Sequence, residues 1–111
     1  MGHRFADILF SEPVRAVQAI ENGNNIFEKW ERRDDFNHRL SDRETTFLAD
    51  RESFYMASVS PDGWPYIQHR GGNKGFIKIL DDKHIGFADF HGNRQYISTG
   101  NLRANNRVAC F

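Results

Sequence analysis

Ser53-Phe54-Tyr55-Met56-Ala57-Ser58-Val59-Ser60-Pro61-Asp62-Gly63-Trp64-Pro65-Tyr66-Ile67-Gln68-His69-Arg70 decides the fold. β-Branched and aromatic residues cluster on both sides of Pro-Asp-Gly, a composition that suits a pleated, half-buried surface. Pro61 restricts one backbone dihedral and Gly63 accepts positive φ, so the pattern predicts a strand over Ser53–Ser60, a tight turn, and a returning strand over Trp64–Arg70. Working forward, Gly71–Gly75 forms a connection, and Phe76–Leu80 pairs with His84–Ala88 across Asp81-Asp82-Lys83. Gln95–Asn101 reads as a short helix or turn, and Arg107–Phe111 as a further strand.

Working backward, the chain up to about Arg51 reads as helical. Pro13 suits the first turn of a helix, and Val14, Val17 and Ile20 recur near helical spacing until Asn22-Gly23-Asn24-Asn25 breaks the pattern. Ile26, Phe27 and Trp30 define one side of a second helix ending near Arg33. Ser41-Asp42-Arg43-Glu44 is a capping box that starts a third, packing Phe47 and Leu48. The organisation expected is a helical lead-in over residues 1–51 and a sheet over residues 52–111, together one structural domain. The last strand stops at Phe111 inside an apolar run, an edge that a second chain or a continuation of this one is expected to cover.

The 111 residues suffice for a single core, and ten are Phe. Lys plus Arg and Asp plus Glu number 15 each, so no global field draws the chain to nucleic acid or an anionic membrane, and any anion site is local. Cys110 is the sole cysteine and has no internal disulfide partner. With no signal-like or membrane-spanning apolar run at the amino terminus, the expected compartment is the cytoplasm. The five histidines and one cysteine show no metal-ligand spacing, so no metal site is expected.

Two short motifs, Gln68-His69-Arg70-Gly71-Gly72 and Gly92-Asn93-Arg94-Gln95-Tyr96, each set a cation beside glycine. Glycine lets an anion approach backbone N–H groups, and the arginine fork matches phosphate oxygens. Together they suggest one phosphorylated ligand.

These motifs, with Gly75-Phe76-Ile77-Lys78, Phe87-Ala88-Asp89-Phe90 and the continuation of the second motif to Leu102, resemble the pyridoxamine 5′-phosphate oxidase-like family of FMN-binding split barrels. The helical lead-in and Ser53-Phe54-Tyr55-Met56-Ala57 are similar to a branch related to the oxidase whose individual reactions are often unassigned. The resemblance implies an α+β fold: amino-terminal helices followed by an antiparallel split barrel, incomplete at Phe111, because the family's later substrate-gripping segment would follow that residue. It also implies FMN as cofactor, a flavin-dependent oxidoreductase, and a homodimer in which two subunits build each flavin site.

By the same resemblance, the flavin-lining strand aligns with Asn73, Lys74, Gly75, Phe76 and onward to Lys78. Asn73 replaces the family's opening basic residue, with Arg70 and Lys74 nearby as substitute cations beside Gly71 and Gly72. Lys78 stands where the family has a lysine close to both flavin and substrate phosphate, and Ala88 and Asp89 where the next strand touches the flavin. Asn93, Arg94 and Gln95 align with a serine, arginine and lysine that grip the cofactor phosphate, so Gln95 weakens the charge there.

Each residue has a plainer reading. Arg70 and Arg94 are also what a solvated strand end and a solvated turn would carry, and Lys78 also marks the solvent side of an alternating strand. His69 reads as structural, because no titratable partner stands at a recognisable spacing, and the catalytic residues stay unknown. His84 and His91 read as turn residues, and Cys110 as a small core residue. Phe54, Tyr55, Phe87 and Phe90 read as core rather than as flavin stackers. Two other functional classes stay open: a flavin carrier or sensor without turnover, and a small barrel binding single-stranded nucleic acid, against which the absence of a basic stripe argues.

Overall fold

A computed structural model describes residues 4–23, 27–33, 38–89 and 92–111. The chain divides into two compact units, Met1–Leu40 and Ser41–Phe111.

The first unit holds α1 (Arg4–Leu9), α2 (Glu12–Asn22) and α3 (Glu28–Glu31). Ser11 occupies the N-cap of α2 with Pro in its first turn, and Gly23 at φ 71° closes it, as the Pro13 and Asn-Gly signals predict. The second predicted helix contracts to the single turn of α3, while Ile26, Asn24 and Asn25 lie outside the described residues. Phe5, Phe10, Phe27 and Trp30 meet edge-on or tilted, with ring centroids 5.5–6.2 Å apart. Arg15 ties α2 to α3 by a fork onto Glu31, with Nη1 and Nη2 donating at 3.2 and 3.1 Å.

The second unit begins with α4 (Asp42–Ala49). Its capping box forms: Glu44 Oε2 accepts the Ser41 N–H at 2.8 Å and also the Ser41 hydroxyl. These bonds, the hydroxyl's first, hold the Glu44 carboxyl below its ordinary pKa. Phe47 is exposed rather than packed; it faces the Arg51 guanidinium, whose carbon lies 4.2 Å from the ring centroid.

The predicted hairpin follows as β1 (Ser53–Val59) and β2 (Pro65–Gly71), antiparallel in the register Ser53↔Gly71 to Val59↔Pro65. The turn closes through Gly63 N to Ser60 O at 2.9 Å, with Gly63 at φ 88°. Because the strand period is two, Phe54, Met56 and Ser58 share one face with Arg70, Gln68 and Tyr66. Met56 and Ser58 are buried there, whereas Tyr55 and Ile67 on the opposite face are exposed.

The second hairpin is shorter than its sequence pattern. Only β3 (Lys78–Ile79) and β4 (Ile85–Gly86) pair, because Phe76 turns its ring onto Phe54, stacked at 6.0 Å, and Ile77 is buried. His84 sits in the intervening turn, bonded to Asp81. α5 (Ile97–Ala104) realises the short helix, and β5 (Ala109–Cys110) adds to the far edge of β1 at Met56↔Cys110, giving the order β2-β1-β5. Among the described residues these strands do not close into a barrel, an α+β arrangement consistent with an incomplete split barrel.

Cys110 is exposed rather than in the core, since a two-residue edge strand leaves it little cover. Partial desolvation of its sulfur still raises the thiol pKa.

Candidate functional site

Two polar ties, one buried and one partly buried, seat α5 on the hairpin. Asn101 Nδ2 donates to Ser58 Oγ at 3.1 Å, and Ser98 Oγ donates to Gln68 Oε1 at 2.9 Å. Polar groups at such depth are kept by their partners, so these bonds fix where the start of α5 stands relative to β2.

A cleft opens there. Its walls are Gln68 and Arg70 from β2, Asp89, the loop residues Gly92, Asn93 and Tyr96, and Ser98 and Thr99 of α5. Its volume of about 30 Å³ matches a small polar group and not a ring system.

Arg70 is the principal charge in the cleft. Its side chain is only 14% exposed, it lies against the Phe87 ring with its guanidinium carbon 5.7 Å from the centroid, and Nη1 meets Asp89 Oδ1 at 2.5 Å. Its Nε is buried and has no hydrogen-bond partner among the described residues. A charged donor in that state is costly, and the Arg51 Nε is in the same state.

The loop from Gly92 is strained in a definite way. Gly92, Arg94 and Tyr96 take φ of 55°, 63° and 55°. Left-handed backbone is unfavourable for arginine and tyrosine, and such strain clusters at sites where a ligand uses it. Asn93 accepts the Gln95 N–H at 3.0 Å and donates to Gln95 Oε1 at 3.3 Å, which ties the loop across its middle.

Of the residues the sequence singles out, Arg70, Asp89 and Asn93 meet in one cleft, and exposed Arg94 and Gln95 continue its loop. The others stand apart from its walls. Lys74 pairs with Asp50 at 3.0 Å, which lowers the Asp50 carboxyl pKa. Lys78 is exposed on β3, between buried Ile77 and half-buried Ile79. Gly72 leaves room for Phe76, whose Cγ would lie 2.7 Å from an added Cβ, and Gly75 turns the chain at φ 80°. Gly71 ends β2, Asn73 and Ala88 are exposed, and Phe76 stacks on Phe54.

His69 meets Tyr55 edge-on across the hairpin, with centroids 5.3 Å apart, on the face away from Arg70. Phe54 and Phe87 pack against each other half-buried, Tyr55 is exposed, and Phe90 and His91 lie outside the described residues. The cleft residues Gln68, Ser98 and Thr99 were not singled out as individual ligands by the sequence reading. Gln68 does stand two positions before Arg70, on the same strand face.

No group of three or more metal-ligating side chains occurs among the described residues, and no helix among them is long and apolar enough to cross a membrane.

Residues 40–110 match the family model described as pyridoxamine 5′-phosphate oxidase. The chain belongs to this pyridoxamine 5′-phosphate oxidase-like family, a flavin-binding family whose members generally carry FMN. No curated protein and no solved structure matches the chain.

Proposed function

We propose that this chain binds FMN and serves a flavin-dependent oxidoreductase, with the cofactor phosphate held in the cleft between β2 and the start of α5. The observation that carries this is Arg70, its side chain only 14% exposed, lining a cleft with hydroxyl and amide side chains. A phosphate ester supplies acceptor oxygens for the Arg70 guanidinium, and Asn93, Ser98 and Thr99 offer further donors. Arg94 adds charge from the rim. Hydrogen bonds to charged groups contribute about 1.5–3 kcal/mol each, so a few of them anchor a dianion despite the chain's zero net charge.

The small cleft leaves the flavin ring outside it, toward the segment Asn73, Lys74, Gly75, Phe76 and Lys78, and toward Ala88. Bound flavin would supply the electron transfer itself. The protein's part is to hold the phosphate, orient the ring and exclude water beside it. In this reading Lys78, exposed on its strand, is the residue that meets an anionic group of the small-molecule substrate.

A homodimer working in the cytoplasm completes the proposal. The outer face of the hairpin exposes Tyr55 and Ile67, with Phe111 beside Tyr55 across paired backbone bonds of 2.7 and 2.9 Å. An apolar sheet face of this kind suits a partner subunit. Neither nucleic acid nor membrane is needed.

The test is Arg70→Ala, assayed by quenching of flavin fluorescence. Loss of FMN affinity with riboflavin affinity retained supports the phosphate assignment. Equal loss of both, or no loss, refutes it.

A further inference from the structure

Arg70 is already engaged by a negative charge. Asp89 Oδ1 lies 2.5 Å from its Nη1, and the two partners differ sharply in environment: the arginine side chain is 14% exposed and the aspartate 60%. The cation is therefore fixed by its surroundings, including the Phe87 ring, while the anion reaches it from the solvent side. Asp89 also lines the same cleft as Gln68, Asn93, Ser98 and Thr99.

We infer that Asp89 is a built-in competitor for the anion site: its carboxylate occupies Arg70 Nη1 in the ligand-free protein and must yield when a phosphate group enters. The inference rests on the phosphate reading given above.

The chemistry follows from charge. A carboxylate and a phosphate held against one guanidinium repel each other, so a ligand must offer more than Asp89 does. A phosphate ester brings two charges and three oxygens against the single charge and two oxygens of Asp89. A singly charged anion offers little that Asp89 does not already supply. Asp89 thus lowers the affinity of every anion that must displace it by a common factor, so only ligands that bind strongly stay bound. Because the aspartate is largely exposed, swinging it into water costs little, which makes the contact a reversible latch rather than a lock.

The test compares the wild-type chain with Asp89→Asn and Asp89→Ala, using FMN, riboflavin and inorganic phosphate as titrants. Release of a partly exposed ion pair predicts FMN binding tighter by about two- to fivefold in both variants, with riboflavin unchanged. Inorganic phosphate titrated alone should likewise bind both variants more tightly than the wild type. If the wild type binds FMN and the variants bind it equally or more weakly, the latch is overturned while the FMN site stands. If neither wild type nor variants bind FMN, the site and the latch fall together. Binding by the variants alone supports the latch in its strongest form.

Discussion

Asn101 on α5 and Ser58 on β1 share a buried hydrogen bond of 3.1 Å, 43 positions apart in the chain. With Ser98 to Gln68 it registers the helix against the hairpin, and so sets the width of the cleft beside Arg70. Replacing Asn101 by Ala should destabilise the chain by about 1–3 kcal/mol, because the Ser58 hydroxyl is left buried without its partner. Urea denaturation measures this. The double variant with Ser58→Ala should recover part of the loss, since neither partner then remains unsatisfied.

Gly72 is held to glycine by packing rather than by a left-handed backbone. An added Cβ would lie 2.7–3.0 Å from Cγ, Cβ and Cδ2 of Phe76, whose ring stacks on Phe54. Gly72→Ala should therefore cost about 1–3 kcal/mol through displaced aromatic packing. A thermal melt with near-ultraviolet circular dichroism should report both the lost stability and the disturbed rings.

At position 94, stability and binding should separate. Arg94 adopts φ 63°, which glycine tolerates far better. Arg94→Gly should stabilise the fold by up to about 1 kcal/mol by relieving left-handed strain. The same change should weaken FMN about tenfold or more by removing a charged donor, and leave riboflavin unaffected. A chain both more stable and weaker for FMN is the expected result; unchanged FMN affinity would place Arg94 in solvent only.

The hairpin was legible because its evidence is local: β-formers flank Pro61-Asp62-Gly63, and the turn needs nothing distant. The capping box at Ser41 and Glu44 was legible for the same reason. What escaped the sequence is non-local. Nothing about Phe76 announces that it folds onto Phe54 and shortens the second hairpin to Lys78–Ile79 and Ile85–Gly86. The Ser98–Gln68 tie spans 30 positions. Helix α1 lies before the Pro13 signal from which the helical reading started, and Phe47 was assigned inward from a helix too short to define a face. Arg70 was singled out from its glycine-flanked motif and Asp89 from the family resemblance, but their mutual pairing, 19 positions apart, is a property of the folded chain. Left-handed backbone at Arg94 and Tyr96 had no signal either, because neither residue type favours it.

Acid should loosen α4. The Glu44 carboxyl is held below its ordinary pKa, first by the Ser41 hydroxyl and then by the Ser41 N–H. A carboxyl whose folded pKa is depressed contributes stability that is present above its unfolded pKa, near 4.3. That contribution is lost as pH falls through the folded value. Glu44→Gln keeps an acceptor for Ser41 and removes the titration. Urea midpoints recorded between neutral pH and the acid side of the carboxylate range should fall less steeply for the variant than for the wild type.

The central claim is that the cleft beside Arg70 receives the phosphate of FMN. Nitrogen-15 NMR of the chain during titration with FMN, and separately with riboflavin, tests it most directly. The account predicts saturable shifts at the Arg70 Nε–H and at the amides of Asn93, Arg94, Ser98 and Thr99 with FMN, and little movement of these signals with riboflavin. FMN binding that moves other residues while the Arg70 Nε–H stays fixed would contradict it.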